Sequence, residues 1–377
     1  MSEAAETKIA RMSPLMPAHQ QHGAHFEERG GWLVPTFYSD ARAEYAAVRG
    51  GGAGIIDLTP GGRIAVEGAD AVQFLNGFVT NDIKSLGEDA WLSAAFPNAQ
   101  GRLTAFARIL RRGHRFLIET AAATRERIFG HLARFTLAGD FRVEDVTDLT
   151  ATISVQGAQA AGVVEKALGV EAARVGRGLV AYAAWQGTSV TAIRATHTAE
   201  DGFDLFVDAP AAASLWAALA TAGARPVGDD ALDVLRIEAG IPRYGVDMDE
   251  SNVVLESVPD DAVSFTKGCY LGQEIIARIH WRGHVARKLA GLSFDGEARA
   301  ARGARIQSAD GKEIGRATSV IMSPRLNRTI ALAYVKYDYL APGTVVTVLT
   351  DEGARRAAVT TLPFVRGSWY EPGSAAE

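Results

Sequence analysis

Cysteine is nearly absent from the chain, which has one thiol, Cys269, in 377 residues. A single thiol excludes an internal disulfide and a metal cage built from cysteines alone, and it is typical of a reducing compartment. Long apolar runs are also missing. The longest uncharged stretch, residues 209–224, is shorter than the roughly 20 residues that span a bilayer. The first 30 residues mix acidic and basic side chains without an apolar segment, so no secretory signal is expected. We therefore expect a cytoplasmic protein without membrane contact.

Charge of one sign is equally scarce. The formal net charge is −5, so direct nucleic-acid binding has no general electrostatic support and is not expected. The hydrophobic fraction of 47% and the charged fraction of 22% are ordinary for a globular protein. Since domains usually hold roughly 100 to 200 residues, the length predicts two or three of them.

The order of apolar patterns predicts an α+β protein in three parts. Residues 1–140 combine short helices with alternating strands, and residues 141–285 restart as a second αβ module that includes the cysteine segment. Residues 286–377 have an all-β pattern of short strands separated by Gly, Pro, Asp and Asn. Such spacing is typical of a small barrel or sandwich.

The densest chemistry lies in residues 267–274, Lys-Gly-Cys-Tyr-Leu-Gly-Gln-Glu. A neighbouring cation such as Lys267 favours thiolate over thiol, so Cys269 is a candidate nucleophile or redox-sensitive group. Lys267 and Tyr270 are predicted to tune that thiol. The alternative is a structural role, because a free cysteine is often a small buried hydrophobe.

A helix is predicted directly after this segment. Leu271, Ile275 and Ile279 fall at i, i+4 and i+8 and form one apolar stripe, and Gly283 ends the pattern. Cys269 would then lie in a glycine-flanked turn at or just before the helix N-terminus, where the helix dipole also favours a thiolate.

The octapeptide resembles the Lys-Gly-Cys-Tyr-x-Gly-Gln-Glu signature of the YgfZ family, folate-binding relatives of the glycine cleavage T-protein. The resemblance covers nearly the whole chain. Segments similar to the T-protein superfamily occur in the same order, and they are residues 13–15, 31–32, 45–49, 54–58, 155–157, 201–204, 235–245 and 363–370. It implies three domains around a central cavity that binds tetrahydrofolate, with a C-terminal barrel.

By position, the resemblance assigns four folate-binding residues. Asp204 would contact the pterin, Arg236 would hold an anionic part of the folate, Tyr244 falls in a pocket segment, and Trp369 would form a pocket wall. Each has a structural alternative: Asp204 could be an ordinary polar strand residue, Arg236 could pair with a neighbouring acid or solvent, and Trp369 could anchor the C-terminal tail.

One departure from the T-protein pattern bears on function. T-proteins carry an acid in the strand after an Asn-x-x-Gly turn, whereas residues 101–107 contain no carboxylate. General acid–base catalysis needs a titrating group beside the reacting atom. The resemblance therefore implies a tetrahydrofolate-binding accessory protein for iron–sulfur cluster assembly or repair, affecting tRNA modification through Cys269.

Two alternatives stay open. One is a tetrahydrofolate-dependent aminomethyltransferase or methyltransferase of the T-protein type, and the other is an interaction protein with a vestigial pocket. Under the first hypothesis the partners are folate and iron–sulfur assembly proteins or iron–sulfur enzymes, and the protein is expected to be a monomer.

A basic cluster follows the cysteine motif, with no acid between Glu274 and Asp295. It is either a solvated helix face or a surface that attracts a polyglutamate tail or an RNA phosphate. Its members are Arg278, His280, Arg282, His284, Arg287 and Lys288. No metal site is predicted, because His280 and His284 lack the HExxH glutamate and the acidic loop at 247–252 lacks the glycine of a calcium loop.

Overall fold

A computed structural model provides the structure, which describes residues 10–370 except for the side chain of residue 138. The outer ends of the predicted first and last domains lie outside this range. The helices are α1 Met16–Gln21, α2 Ala41–Arg49, α3 Ala71–Asn76, α4 Ala122–Ala133, α5 Ala160–Leu168, α6 Val170–Ala173, α7 Ala212–Thr221, α8 Asp229–Glu238, α9 Val254–Ser257 and α10 Gln273–Arg282.

Twenty strands form four sheets within the described residues. The strands before the barrel are β1 Arg11–Met12, β2 His25–Arg29, β3 Trp32–Phe37, β4 Gly54–Asp57, β5 Gly62–Glu67, β6 Ala90–Pro97, β7 Leu103–Arg112, β8 Arg115–Thr120, β9 Arg142–Asp145, β10 Thr150–Gln156, β11 Val180–Trp185, β12 Thr188–Arg194, β13 Gly202–Asp208 and β14 Arg225–Pro226. The strands of the barrel are β15 Arg287–Phe294, β16 Arg305–Gln307, β17 Glu313–Ser323, β18 Arg328–Lys336, β19 Val345–Thr350 and β20 Gly353–Thr360.

The two larger N-terminal sheets hold the elements that matter for the site. One has five strands in the order β6-β7-β8-β5-β9, and the other has six in the order β11-β12-β13-β10-β4-β14. A small sheet, β1-β3-β2, precedes them. Each large sheet has its own apolar core, formed with α3 and α4 in the first and with α5 and α7 in the second. The mixture of helices and mainly antiparallel sheets is the α+β class that the sequence predicts.

The C-terminal part is a closed six-stranded barrel, in the order β15-β18-β17-β16-β19-β20. Closure leaves no unpaired sheet edge. Strand β20 alternates, with Ala357 and Val359 buried and Arg356 exposed, whereas β18 is buried at every position from Thr329 to Val335. The predicted all-β barrel is confirmed.

The sheets do not follow the predicted boundary at residue 140. Strand β4 comes from the first predicted domain but pairs with β10 of the second, from Gln156↔Gly54 to Ile153↔Asp57. The chain thus begins the six-stranded sheet, makes the five-stranded sheet, and then returns. Local periodicity predicts strands but not their partners, so the division into folding units stays a prediction.

An apolar cluster joins the two large sheets. Leu110 of β7 packs with Ile193 of β12 and Phe206 of β13, and Trp91 of β6 lies against the same cluster. This contact fixes β7 beside β13, and the polar residues next to it on both strands form the candidate site. No helix within residues 10–370 is both long and apolar enough to cross a bilayer.

Candidate functional site

Asp204 lies in the middle of β13 and is fully buried. Its Oδ2 accepts a hydrogen bond from Arg108 Nη1 of the neighbouring sheet and lies 2.8 Å from His197 Nε2. Burial alone would raise the pKa of Asp204, but the charges of His197 and Arg108 hold it well below the usual range. Asp204 is therefore a buried carboxylate that stays ionised.

The second oxygen of this carboxylate, Oδ1, is buried and makes no hydrogen bond with any described residue. Ser154 stands opposite Asp204 in the sheet. Its hydroxyl lies 3.4 Å from the Phe203 carbonyl and also helps to lower the pKa of Asp204. The Nε1–H of Trp91 is a second buried group without a partner in residues 10–370, and the Trp91 ring lies 5.9 Å from Arg108 Cζ. A buried polar group without a partner costs about 1–3 kcal/mol. One acceptor and one donor near Arg108 are thus available to a ligand.

Arg108 organises these groups. Its Nε donates to Glu119 Oε2 at 2.6 Å, while Nη1 reaches Asp204. Burial would lower the pKa of Arg108, but the two carboxylates raise it further above its ordinary value. The guanidinium therefore carries a permanent charge between two carboxylates.

The face of β7 that carries Arg108 has no carboxylate. Ala105 and Ala107 point into the core of the five-stranded sheet, so Thr104, Phe106 and Arg108 share the opposite face. The segment that lacks an acid, residues 101–107, contributes Thr104 and Phe106 to this face. No residue of β7 is acidic.

Arg236 lies on α8 and is 4% exposed. It donates from Nε to Asp233 Oδ1 at 2.6 Å, from Nη1 to Asp247 Oδ2 at 2.7 Å, and from Nη2 to Ser319 Oγ at 2.9 Å. A further bond reaches the Ile241 carbonyl. These contacts use four of its five N–H donors and tie α8 to barrel strand β17, which favours the structural alternative for Arg236.

Tyr244 is half-buried, and its side chain lies against the backbone at the start of β7. Its hydroxyl donates to the Thr104 carbonyl at 2.8 Å, and the Leu103 carbonyl lies at 3.3 Å. Burial raises the pKa of Tyr244. Tyr244 is therefore a neutral phenol held against the backbone where the sequence lacks the acid.

Trp369 packs against the loop that precedes β13. Its backbone N–H donates to the Ala199 carbonyl at 3.2 Å, and Arg177 Cζ lies 3.8 Å from its ring centroid. The adjacent Ser368 donates to Glu200 from both its backbone N–H and its hydroxyl, each at 2.7 Å. Trp369 therefore anchors the C-terminal tail to Ala199, which follows His197 by two residues in the sequence.

Lys267 is buried, and its ammonium binds backbone carbonyls and not the thiol that it was predicted to tune. Its ammonium donates to the carbonyls of Asn76, Val79 and Asn81 at 2.9, 2.7 and 2.6 Å. All three N–H donors are used. Burial lowers the pKa of Lys267 to about 8, against a weaker attraction from Asp82. The geometry favours a structural lysine that closes the end of α3.

Cys269 is exposed, so the alternative of a buried structural cysteine is wrong. Tyr270, next to it, turns into an apolar cluster with Leu103 and Ile276, and burial raises its pKa to about 12. The segment lies against the end of α3, since Leu271 N–H donates to the Gly77 carbonyl at 3.0 Å.

The predicted helix is α10, and Gly283 ends it as expected. Its buried side chain is Ile276, with Ile275 and Ile279 only half-buried, while Leu271 precedes the helix. The predicted stripe was therefore displaced, because the left-handed Gly272, with φ of 78°, starts the helix two residues after Leu271.

The basic cluster is solvent-exposed from His280 to His284. Trp281 is 69% exposed, so it does not serve as a packing residue. His280 stacks on Phe265 with centroids 3.6 Å apart, and His284 stacks on Tyr337 at 3.7 Å. Lys288 pairs with Asp260 and Arg287 with Glu256, which reduces the net positive charge of this surface.

The predicted site residues thus fall into three places. Asp204 lies on β13 and Trp369 on the loop before it, and Arg236 lies at the barrel. The remaining residues lie near the β6–β7 turn, and they are Tyr244, Lys267, Cys269 and Tyr270. The thiol segment and the Asp204 site lie at two ends of β7, because the five steps from Leu103 to Arg108 span about 17 Å.

Sequence reasoning missed Arg108, Glu119, His197 and Trp91. Arg108 directly follows residues 101–107, the segment that lacks an acid. An arginine within a largely buried, apolar strand indicates a charged partner, and this signal could have identified Arg108. His197 and Trp91 carried none, because their contacts depend on how the two sheets pack. Among the described residues, no group of three or more His, Cys, Asp or Glu side chains is arranged to hold a metal ion.

Two αβ sheets and a C-terminal barrel, with a buried carboxylate between the sheets, define the class of fold. The GCVT N-terminal domain family matches residues 15–267, and the glycine cleavage T-protein C-terminal barrel domain family matches residues 287–366. The chain belongs to the glycine cleavage T-protein family.

Several relatives named aminomethyltransferase match along the whole chain. The protein of Rubrobacter xylanophilus is 34% identical over 96% of this chain and 96% of its own length. The protein of Saccharopolyspora erythraea is 32% identical and covers 94% of this chain and 98% of its own length. The protein of Thermotoga neapolitana is 30% identical and covers 95% of this chain and 98% of its own length. The crystal structure of glycine cleavage system aminomethyltransferase T from Bartonella henselae has the same fold, with a TM-score of 0.87, 24% identity and coverage of 94% and 98%.

These comparisons confirm the predicted T-protein superfamily and its fold. They point to aminomethyltransferases rather than to the YgfZ family, and they give no support to iron–sulfur partners. The YgfZ prediction depended on an eight-residue signature, whereas the matches extend over nearly all of the chain.

Proposed function

We propose that the protein is a tetrahydrofolate-dependent one-carbon transferase of the aminomethyltransferase type. The observation that carries the proposal is the buried, ionised Asp204 with its unpartnered Oδ1. The amino-pyrimidinone edge of a pterin presents N–H donors that suit such an acceptor, and it presents acceptors that suit the Trp91 Nε1–H. The residues present therefore fit a folate ring.

Each residue has a definite part in this proposal. Asp204 binds and orients the pterin, and Arg108 keeps Asp204 ionised and fixed by its bonds to Asp204 and Glu119. Trp91 donates to the ring edge, and Trp369 walls the site from the side of the tail. Tetrahydrofolate supplies the nitrogen that accepts the one-carbon unit. A preorganised charge of this kind costs little reorganisation when the ligand binds.

Calorimetric titration with tetrahydrofolate tests the proposal. Asp204→Asn should weaken binding by about 10-fold or more, equivalent to about 1.4 kcal/mol. Trp91→Phe keeps the ring but removes the N–H, and it should weaken binding by a smaller factor. Asp208→Asn, an exposed carboxylate at the end of the same strand, is the matched control. Absence of binding by the wild type, or equal binding by all three variants, contradicts the proposal. Formation of a methylene or methyl folate from an aminomethyl donor then tests the transfer itself.

A second candidate function is the accessory role for iron–sulfur enzymes through Cys269. The exposed thiol and the missing acid on β7 favour it. Normal activity of cluster-dependent enzymes in cells that carry Cys269→Ser would count against this function, whereas a loss of that activity with folate transfer intact would support it.

A further inference from the structure

A transferase of the proposed type needs a group that moves a proton, and the site-facing side of β7 offers none. Thr104 has a neutral hydroxyl, Phe106 is apolar, and Arg108 keeps its charge at any physiological pH. The proton carrier must therefore stand on another element. The inference below rests on the proposed function.

The two carboxylates at Arg108 do not qualify. Asp204 is held ionised by the neighbouring positive charges, which keep its pKa well below the usual range. Glu119 accepts two N–H groups from Arg108 and its side chain is only 10% exposed. Tyr244 donates its proton to the Thr104 carbonyl, and burial raises its pKa, so it keeps that proton.

His197 remains, and its geometry selects one tautomer. The residue lies in the loop between β12 and β13, where its backbone N–H donates to Gln156 Oε1 at 2.9 Å. Its Nε2 lies 2.8 Å from Asp204 Oδ2. Since an ionised carboxylate only accepts, Nε2 carries the hydrogen, and in the neutral ring Nδ1 holds a lone pair.

Nδ1 is available to a ligand. It makes no hydrogen bond with the described chain, and the side chain is 25% exposed although its partner Asp204 is fully buried. A planar ligand that donates to the unpartnered Asp204 Oδ1 would lie beside the imidazole ring, because Oδ1 and Oδ2 belong to one carboxylate. Because Nε2 points at Oδ2, Nδ1 lies on the edge of the ring away from the carboxylate. It can therefore reach only the far edge of a planar ligand that binds through Oδ1.

We infer that His197, oriented by Asp204, is the proton-transferring residue of this site. In its neutral form Nδ1 takes the proton from the folate nitrogen as that nitrogen forms its bond to the one-carbon unit. The imidazolium, stabilised by the Asp204 carboxylate, then gives the proton to the amine as its bond to carbon breaks, so that ammonia leaves. In this step one nitrogen–carbon bond forms and one breaks, and the carbon stays bound to its donor group. A second folate N–H then displaces the donor group, which leaves with that proton. The carbon ends on two folate nitrogens, and no oxidant is needed.

Charges from several elements surround this ring. Asp204 of β13 contacts the ring directly. Behind Asp204 lie Arg108 of β7 and Glu119 of β8. The ion pair of Arg194 with Asp201 and the pair of Arg49 with Glu200 lie at the two sides of its loop, and Arg177 lies on the Trp369 ring. The carboxylates among these groups are each paired with a guanidinium, and among residues 10–370 His197 is the one imidazole in contact with Asp204.

Nuclear magnetic resonance of the imidazole nitrogens tests the inference without any turnover. The wild type should show the Nε2–H tautomer at neutral pH, and tetrahydrofolate should change the midpoint of the ring's titration. An Nδ1–H tautomer, or a titration that bound folate leaves unaltered, would overturn the inference. His114→Gln, an exposed turn histidine, is the control for signal assignment and stability.

Kinetics separate this inference from the proposed function. His197→Gln retains a side chain that can bond to Asp204 but does not titrate, so folate affinity should stay within about 3-fold while the transfer rate falls by about 100-fold or more. The limb of the pH–rate profile that belongs to the imidazole should vanish. Full rate with an unchanged profile refutes the role of His197 alone. Failure of the wild type to bind folate refutes the proposed function, whatever the tautomer.

Discussion

Arg108 and Asp204 form an ion pair between two sheets, because Arg108 belongs to β7 of the five-stranded sheet and Asp204 to β13 of the six-stranded sheet. Asp204 is fully buried and Arg108 only 14% exposed. The same guanidinium also bonds to Glu119 of β8. One side chain therefore fixes the relative position of the two sheets and sets the charge of the candidate site.

Replacing Arg108 by Met should lower the free energy of unfolding by about 3–5 kcal/mol, because it leaves two carboxylates without their cation. The loss should shrink on acidification. The lowered pKa of Asp204 stabilises the wild type fully above the pKa of the unfolded chain, and this contribution is lost as pH falls. Urea unfolding at pH 7 and at pH 3, below the unfolded pKa of 3.8, measures both effects. Arg115→Met, an exposed partner of Glu67, should change stability by less than about 1 kcal/mol at either pH.

Much of the fold could be predicted from the sequence. Aspartate is a typical helix-capping residue, and the Asp40 carboxylate accepts the Arg42 N–H at 3.2 Å in front of α2. The barrel strands also lie where polar and apolar residues alternate. These features are local, since each depends on residues a few positions apart.

The site was predicted less completely, because its contacts join distant parts of the chain. His197 and Asp204 are close in sequence, but Arg108 is 96 residues away from Asp204. Arg236 matched a folate-binding segment by position, yet Asp247 and Ser319 occupy its guanidinium. A motif gives residue types and spacing, and only packing decides which donors remain available to a ligand.

Lys267 should give a distinct pH dependence of stability. Its pKa is lowered to about 8 in the folded protein, while the unfolded chain protonates near the ordinary value of 10.5. Between these values the unfolded state binds more protons, so the free energy of unfolding should rise with pH, by up to about 3 kcal/mol from this group. Urea unfolding at intervals from pH 7.5 to 10 measures the slope.

Lys267→Met should abolish this rise and also destabilise the protein at pH 7 by about 2–4 kcal/mol, because three carbonyls at the end of α3 lose their donor. Lys166→Met is the control, since Lys166 is an exposed lysine on α5 and should leave the slope intact. Equal slopes in wild type and Lys267→Met would show that the ammonium is not the source.

Gly272 and Gly268 flank the thiol segment but should respond differently to alanine. Gly272 has a φ of 78°, and an added Cβ would lie 2.3 Å from the Asn98 carbonyl oxygen. Gly272→Ala should therefore lower the free energy of unfolding by about 2–4 kcal/mol. At Gly268 a Cβ meets nothing within 4 Å, so Gly268→Ala should cost about 0.5 kcal/mol or less. Similar midpoints of thermal unfolding for the two variants would contradict this packing of α10 on the β6–β7 turn.

Arg236→Met should affect stability rather than folate affinity. It removes the cation from Asp247, which is 2% exposed, and should cost about 3–5 kcal/mol. Adding Asp247→Asn should restore part of that loss, because the neutral amide is cheaper to bury. Arg305→Met at an exposed barrel position is the control. A fall in tetrahydrofolate affinity at unchanged stability would instead support the role that the resemblance assigns to Arg236.

Cys269 should react rapidly with a thiol reagent in the folded protein, because it is exposed and is the only thiol. Saturating tetrahydrofolate should leave that rate within about 2-fold, since the length of β7 between Leu103 and Arg108, about 17 Å, separates the thiol segment from the Asp204 site. Alkylation followed by absorbance, with and without folate, measures the rate, and Cys269→Ser gives the background. The prediction separates the two candidate functions. Protection of Cys269 by folate would place the thiol at the folate site and favour the cysteine-dependent function, whereas its absence leaves transfer chemistry to the residues around Asp204.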